Sequence, residues 1–246
     1  MRSTNGFAWV WRMAVAALVV GGVACGGSEA TRRTSARSDR LIVPRADEER
    51  TDGTQFEGIL GQIDPAEARA ALERRMGSFM RCYSQRLSSV EYLGGNVELT
   101  VRIGTEGSVR WAFVSQSTMG DLPTETCLLG VAQGASFPRP RGGEAEFRYP
   151  LEFEPGDGVR PPLSWSHDRV ASVIGEHRGD LASCSLGGSS VSVTAYVEPG
   201  GRVAAAGVAS SARAAANAAE CVVQAVSGWT FPDPGSYAAK VTFTVD

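Results

Sequence analysis

The sequence predicts an α+β protein built as two tandem small domains. Each should hold a three-stranded, mostly antiparallel sheet with two helices on one face, in the order helix, strand, strand, helix, strand. Three observations lead to this expectation. The stretch "TCLLGVAQGASFPRP" from Thr126 to Pro140 is spelled again as "ECVVQAVSGWTFPDP" from Glu220 to Pro234, with Cys, Gly, Phe and both prolines in the same places. Apolar residues switch twice, in the same order, between helical spacing and strict alternation. Each copy also carries one cysteine near the end of its first helix and one inside its second.

The elements of the first copy follow in order. In "IDPAEARAALERRMGSFMRCYSQRL" Asp64 suits an N-cap, Pro65 the first helical position and Glu67 a capping box. Leu72, Met76, Phe79 and Tyr83 then recur at helical spacing. A hairpin comes next: "NVELTVRI" alternates Val97, Leu99, Val101 and Ile103, "GTEG" turns, and "SVRWAFV" alternates Val109, Trp111 and Phe113 on the same apolar face. A second helix around Pro123 to Gln133 carries Cys127, Leu128 and Val131. "EFRYPLEF" closes the unit with Phe147, Tyr149, Leu151 and Phe153, and Pro150 within it suits an edge strand or a bulge.

The second copy repeats the order. "DRVASVIGEHRGDLASC" puts Val170, Ile174, His177, Leu181 and Cys184 on one stripe. "SVSVTAYV" alternates Val191, Val193, Ala195 and Val197, "EPGG" turns, "RVAAAGV" returns, an alanine-rich helix runs to Val226, and "KVTFTV" closes. Cys127 and Cys221, Phe137 and Phe231, Gly107 and Gly201, Tyr149 and Phe243 are all 94 residues apart, while Cys82 and Cys184 are 102 apart. Eight residues are therefore missing from the second copy where "SQRLSSVEYLGG" shortens to "SLGG". One offset shared by this many landmarks signals an internal duplication.

The chain divides into a signal peptide over 1–24, a tether over 25–61, the first copy over 62–155, a linker over 156–162 and the second copy over 163–246. Arg2 and Arg12 precede the apolar "MAVAALVVGGVAC", whose length and flanks match a secretory signal. "GVAC" before a polar stretch resembles a bacterial lipobox, although Gly22 stands where Leu is usual, so Cys25 is the expected lipidation site. Ordinary cleavage after Ala30 is the alternative. Gly26 after the cysteine points to the periplasmic side of the outer membrane. The tether is too polar to bury a core, and some 35 residues of it could reach roughly 100 Å when extended.

An exported chain meets an oxidising compartment, where thiols pair. With lipid on Cys25, the other four of the five cysteines make two bridges. Both helices of a copy must cover the same apolar sheet face and are therefore neighbours. The predicted pairs are Cys82–Cys127 and Cys184–Cys221, each worth roughly 3–4 kcal/mol in the chain-entropy account.

"RCYSQRL", "GGNVELTVRIGTEGSV" and "TCLLGVAQGASFPRP" with a closing aromatic strand resemble the C-terminal domain of myxobacterial AgmX/PglI-type proteins. That domain is similar in element order to the C-terminal domains of TonB and TolA. The resemblance spans about Ile63 to Glu154, through Cys82-Tyr83, Gly95, Gly107, Cys127 and Phe137-Pro138. From about Leu163 to Asp246 it is more divergent, with Ser185 in place of the Tyr. It implies an envelope location and a role in protein contacts, with no catalytic residues to carry over. TonB couples to a motor through an energised transmembrane helix, which this sequence lacks, so that activity is not transferred.

Composition excludes other classes. Apolar residues make up 43% and charged residues 21%, both globular values. A net charge of −3 without a basic stripe argues against nucleic acid. Lys240 is the one lysine, and the arginine bias reads as genome composition. Ser166, His167 and Asp168 contain the letters of a triad, but adjacent residues cannot aim three side chains at one another in the required order. His177 lies on an apolar stripe and reads as a packed or hydrogen-bonded residue. No cysteine pair has zinc-ligand or redox spacing, and the loops at Gly142-Gly143 and Gly187-Gly188 lack a phosphate cradle's strand and helix. No catalytic, metal or cofactor site and no small-molecule substrate is predicted.

The surface remains. The sheet face away from the helices is charged in the first copy, through Glu98, Thr100, Arg102, Arg110, Glu146, Arg148 and Glu152. In the second copy it is small and flat, through Ser192, Thr194, Tyr196, Ala204, Ala206, Thr242 and Thr244. That flat face either tolerates small residues or docks on the first copy or a partner. Open edges of the three-stranded sheets could accept an extended segment by strand addition. The expected function is a non-catalytic binding or scaffolding module of the cell envelope. The alternative is a small envelope hydrolase or inhibitor with an unrecognised site.

Overall fold

The computed structural model describes residues 60–246, which belong to one compact unit spanning Thr54–Asp246. The fold is α+β with two sheets, one three-stranded and antiparallel, the other four-stranded and mixed. The predicted signal peptide and nearly all of the predicted tether, with Cys25, lie outside the described residues.

The first half begins with α1 (Pro65–Glu73), started as the sequence predicts: the Asp64 carboxylate accepts the Ala66 N–H at 2.7 Å. The single long helix expected here is two, because the chain breaks at Arg74–Arg75 before α2 (Met76–Ser84). The break lets Arg75 donate to the carbonyl of Gly134, at the end of a third helix, at 2.7 Å. Met76 consequently sits at the surface, while Leu72, Phe79 and Tyr83 are buried.

Strands β1 (Gly95–Ile103) and β2 (Val109–Ser117), helix α3 (Leu122–Gln133) and strand β3 (Ala145–Phe153) complete the half, in sheet order β2-β1-β3. Val97, Leu99, Val101 and Ile103 face the helices and form the core centre. Register corrects one expectation: Trp111 pairs with Arg102 and Phe113 with Thr100, so both aromatics lie on the face away from the helices. The irregularity at Arg102/Ile103, between Val109 and Trp111, causes this, since a one-residue slip moves the following side chains to the other face. Ala112 and Val114 take the helix side instead.

The second half starts with β4 (Leu163–Trp165), a 3-10 turn (His167–Arg169), α4 (Ala171–His177) and a further 3-10 turn (Arg178–Leu181). It continues through β5 (Val191–Val197), β6 (Val203–Ala209), α5 (Arg213–Ala216), α6 (Ala219–Ser227) and β7 (Ala239–Val245). Its sheet runs β4-β7-β5-β6, so the expectation of three strands is corrected to four. Leu163, Ser164 and Trp165, to which the sequence reading gave no strand, pair in parallel with β7.

Equivalent positions recur in detail. Gly107 and Gly201 both adopt positive φ, 83° and 82°, and both accept from a phenylalanine N–H at 2.9 Å, Phe137 and Phe231. A Cβ at either glycine would collide with that phenylalanine's carbonyl. Isolated bridges Ser108–Ser136 and Arg202–Thr230 sit beside them at the 94-residue offset. Each half keeps its own bridge, Cys82–Cys127 and Cys184–Cys221, both with Cα atoms 5.6 Å apart.

Candidate partner-binding surfaces

The small, flat face of the second sheet is covered by the first half. Tyr196 and Thr194 are fully buried, and Tyr196, Ala205, Ala209 and Ala238 belong to the first half's apolar cluster. Register again amends the sequence reading: Ala205, Gly207 and Ala209 share this face with Tyr196, Thr194 and Ser192, whereas Ala206 turns inward with Val208. Of the two readings of this face, docking on the first half is what occurs.

Polar groups fix the contact. The Tyr196 hydroxyl donates to the Gly94 carbonyl at 2.8 Å and accepts the Gly94 N–H at 3.2 Å. Burial pushes the phenol pKa well above its ordinary value, so it stays a donor. The Thr194 hydroxyl donates to the Ser117 carbonyl at 3.4 Å, and the Ser210 N–H to the Val114 carbonyl at 3.2 Å. These last two bonds occupy the edge of β2, so one of the predicted open edges is used within the chain.

Glu125 is the residue that sequence reading missed. It is fully buried on α3, with Ser117 Oγ donating at 2.6 Å and the Val208 N–H at 3.1 Å. Desolvation raises its pKa from the ordinary 4.5 to about 7, against the lowering effect of those hydrogen bonds. The signal was present: Glu125 shares a helical stripe with buried Leu128 and Ala132.

The edge of β3 differs from that of β2. The segment ahead of α1 meets only its start, where the Gly61 N–H donates at 2.7 Å to the carbonyl of Glu144, the residue before the strand. The β1–β3 register runs from Gly95↔Phe153 to Ile103↔Ala145 without a shift. Backbone groups of even-numbered residues therefore face outward, and Pro150, which has no N–H to lose there, is one of them. Pro150 suited either an edge strand or a bulge in the sequence; β3 is an edge strand, and its pairing with β1 has no bulge. A groove of about 350 Å³ follows this strand between Ile63, Arg69, Phe147 and Tyr149. Arg102 reaches Glu144 and Glu146 at 3.0 and 3.4 Å, and Arg148 approaches Glu98 at 3.8 Å, giving the outer face alternating charge.

The other predicted positions carry no assembled chemistry. Ser166, His167 and Asp168 are exposed on the first 3-10 turn, and no hydrogen bond joins their side chains among the described residues. His177 stacks on Trp229 with ring centroids 5.3 Å apart and meets Asp180 at 2.9 Å, half-buried at the helix end. Asp180 also accepts from the Trp229 indole at 3.1 Å. Among the described residues there is no group of three or more His, Cys, Asp or Glu side chains placed to hold a metal, and no helix long and apolar enough to cross a membrane. In comparison with known proteins, no family model, no curated protein and no solved structure matches this chain.

Proposed function

We propose that this chain is an exported, Cys25-lipidated envelope protein made of two tandem, duplicated TonB/TolA-like domains of the AgmX/PglI type, acting without catalysis by binding an extended segment of another envelope protein along β3. The observation that carries the reading is the β3 edge. It is nine residues long, it lies beside a groove that could take alternate side chains, and the described residues leave it unpaired beyond Glu144. Exposed edges of this length are a liability unless used or guarded, and Pro150 is only a partial guard. The second half supports the reading by analogy. There the corresponding edge, β7, already carries an added strand, β4.

In this reading the second half is a built-in support. It shields the β2 edge and leaves β3 as the long edge on offer. The tether and lipid supply reach and location. Arg148→Pro tests the reading, because it removes an edge-facing N–H that the β1 ladder does not use. Mature protein and variant, matched by circular dichroism and disulfide content, are presented to an envelope extract. The expected result is a partner retained by the former and lost by the latter. Equal retention by both, or retention by neither, overturns strand addition at β3.

A further inference from the structure

Where the linker crosses the second sheet, a pocket of about 560 Å³ opens between Tyr92, Pro161, Pro162, Trp165, Tyr196 and Lys240. Its size falls within the usual range for small-molecule sites, roughly 300–1,000 Å³, and its walls are mainly aromatic and proline rings. Lys240 stands on β7, opposite Tyr196 on one side and Ser164 on the other. Its ammonium donates to the Gly94 carbonyl at 2.6 Å and lies 5.1 Å from the centre of the Tyr196 ring.

That leaves the charge poorly compensated. The Gly94 carbonyl is already shared with the Tyr196 hydroxyl, and an ammonium has three hydrogens to place. Among the described residues no carboxylate comes within ion-pair distance of Lys240, although nine other pairs form elsewhere in this arginine-rich chain. The other titratable side chains lining the pocket are Tyr92, Tyr196 and His167, and the Arg169 guanidinium lies 4.8 Å from the centre of the Trp165 ring; none of them is a standing anion. Burial alone accounts for the lowering of the ammonium pKa from its ordinary 10.5 to about 8. A cation kept half out of water without a counter-ion is destabilising, and a bound anion would relieve it.

We propose that this pocket binds a small carboxylate with an apolar or aromatic body, the carboxylate pairing with Lys240 and the body stacking against Trp165 and the linker prolines. Strand addition at β3 does not involve these residues, so the two sites can fail separately.

Lys240 is the only lysine, which makes the test direct. The mature protein is acetylated in pulses with acetic anhydride at pH 8, with and without 3-phenylpropionate, and modification at Lys240 is read by peptide mass. Bound carboxylate both covers the amine and holds it protonated, so acetylation should slow at least about tenfold at saturation, with the amide 3-phenylpropanamide giving little protection. Calorimetric titration should show the acid binding at least about tenfold more tightly than the amide, and Lys240→Met should abolish that difference. The proposal is overturned if acid and amide protect equally, or if neither protects at about 10 mM, a result read on the unmodified fold and independent of any variant. Stronger protection by a short peptide ending in Phe than by 3-phenylpropionate would also overturn it, in favour of a protein C-terminus.

Discussion

The carboxyl group of Glu125, in the first half, accepts the backbone N–H of Val208, in the second, at 3.1 Å in a site sealed from water. It is a titratable group placed across the contact that joins the halves. Its folded-state pKa, about 7, is above the ordinary 4.5, so between those values the folded protein binds more protons than the unfolded chain. Stability therefore falls as pH rises through that window.

The corresponding loss on going from about pH 5 to about pH 8 is up to ~3 kcal/mol. Glu125→Gln keeps the shape and an acceptor for Val208 while removing the charge. Urea unfolding followed at both pH values should show the wild type less stable at the higher one and the variant nearly level. A wild type that gains stability across this window would show that Glu125 is not neutral when folded.

Gly207 lies against the same carboxylate. A Cβ built there would meet both Glu125 oxygens and Cδ, closer than real contacts allow. The oxygens are held by Ser117 and Val208, so they have little room to retreat. Gly207→Ala should cost about 1–3 kcal/mol. Adding Glu125→Ala to it should recover part of that loss, and a double-mutant cycle in urea would measure the coupling. Additive costs would mean that the two residues do not meet.

Part of this fold was legible in the sequence because the same landmarks recur at a 94-residue offset. Two helices covering one sheet face in each half led to the cysteine partners Cys82–Cys127 and Cys184–Cys221, and Pro150 narrowed β3 to an edge strand or a bulged one. What was not legible depends on register and on the contact between the halves. Trp111 and Phe113 alternate like core residues, yet irregular pairing beside Ile103 turns them to the other face, where the Arg213 guanidinium lies 5.2 Å from the Trp111 ring. Thr194 and Tyr196 alternate like solvent-facing residues, and only the first half, packed over them, makes them core. β4 was hidden because three residues are too few for a period to register.

Tyr196 tests how much of the contact between halves is hydrogen bonding rather than shape. Tyr196→Phe keeps the ring near Tyr92, whose centroid is 5.6 Å away, and removes only the hydroxyl that serves both polar groups of Gly94. Lys240 remains on the carbonyl, but the Gly94 N–H loses its partner. A cost of about 1–3 kcal/mol is expected, since an unsatisfied buried group costs its desolvation. A change within about 0.5 kcal/mol would assign the contact to packing alone.

The bridges should matter unequally. Both close similar loops, with sequence separations of 45 and 37, so the chain-entropy account gives each roughly 3–4 kcal/mol. The supporting structure differs, however. Cys82 lies in the last turn of a nine-residue helix with Phe79 and Tyr83 in the core beside it, while Cys184 follows a seven-residue helix and a 3-10 turn, and faces a helix preceded by the four-residue α5. Short helices depend more on tertiary restraint. Replacing Cys184 and Cys221 by Ala should therefore loosen the second half first, seen as early quenching of Trp229, which is buried there. Replacing Cys82 and Cys127 should lower the midpoint while the unfolding of the two halves stays coincident. Equal, coincident transitions in both variants would show that the contact between the halves, rather than each bridge, governs cooperativity.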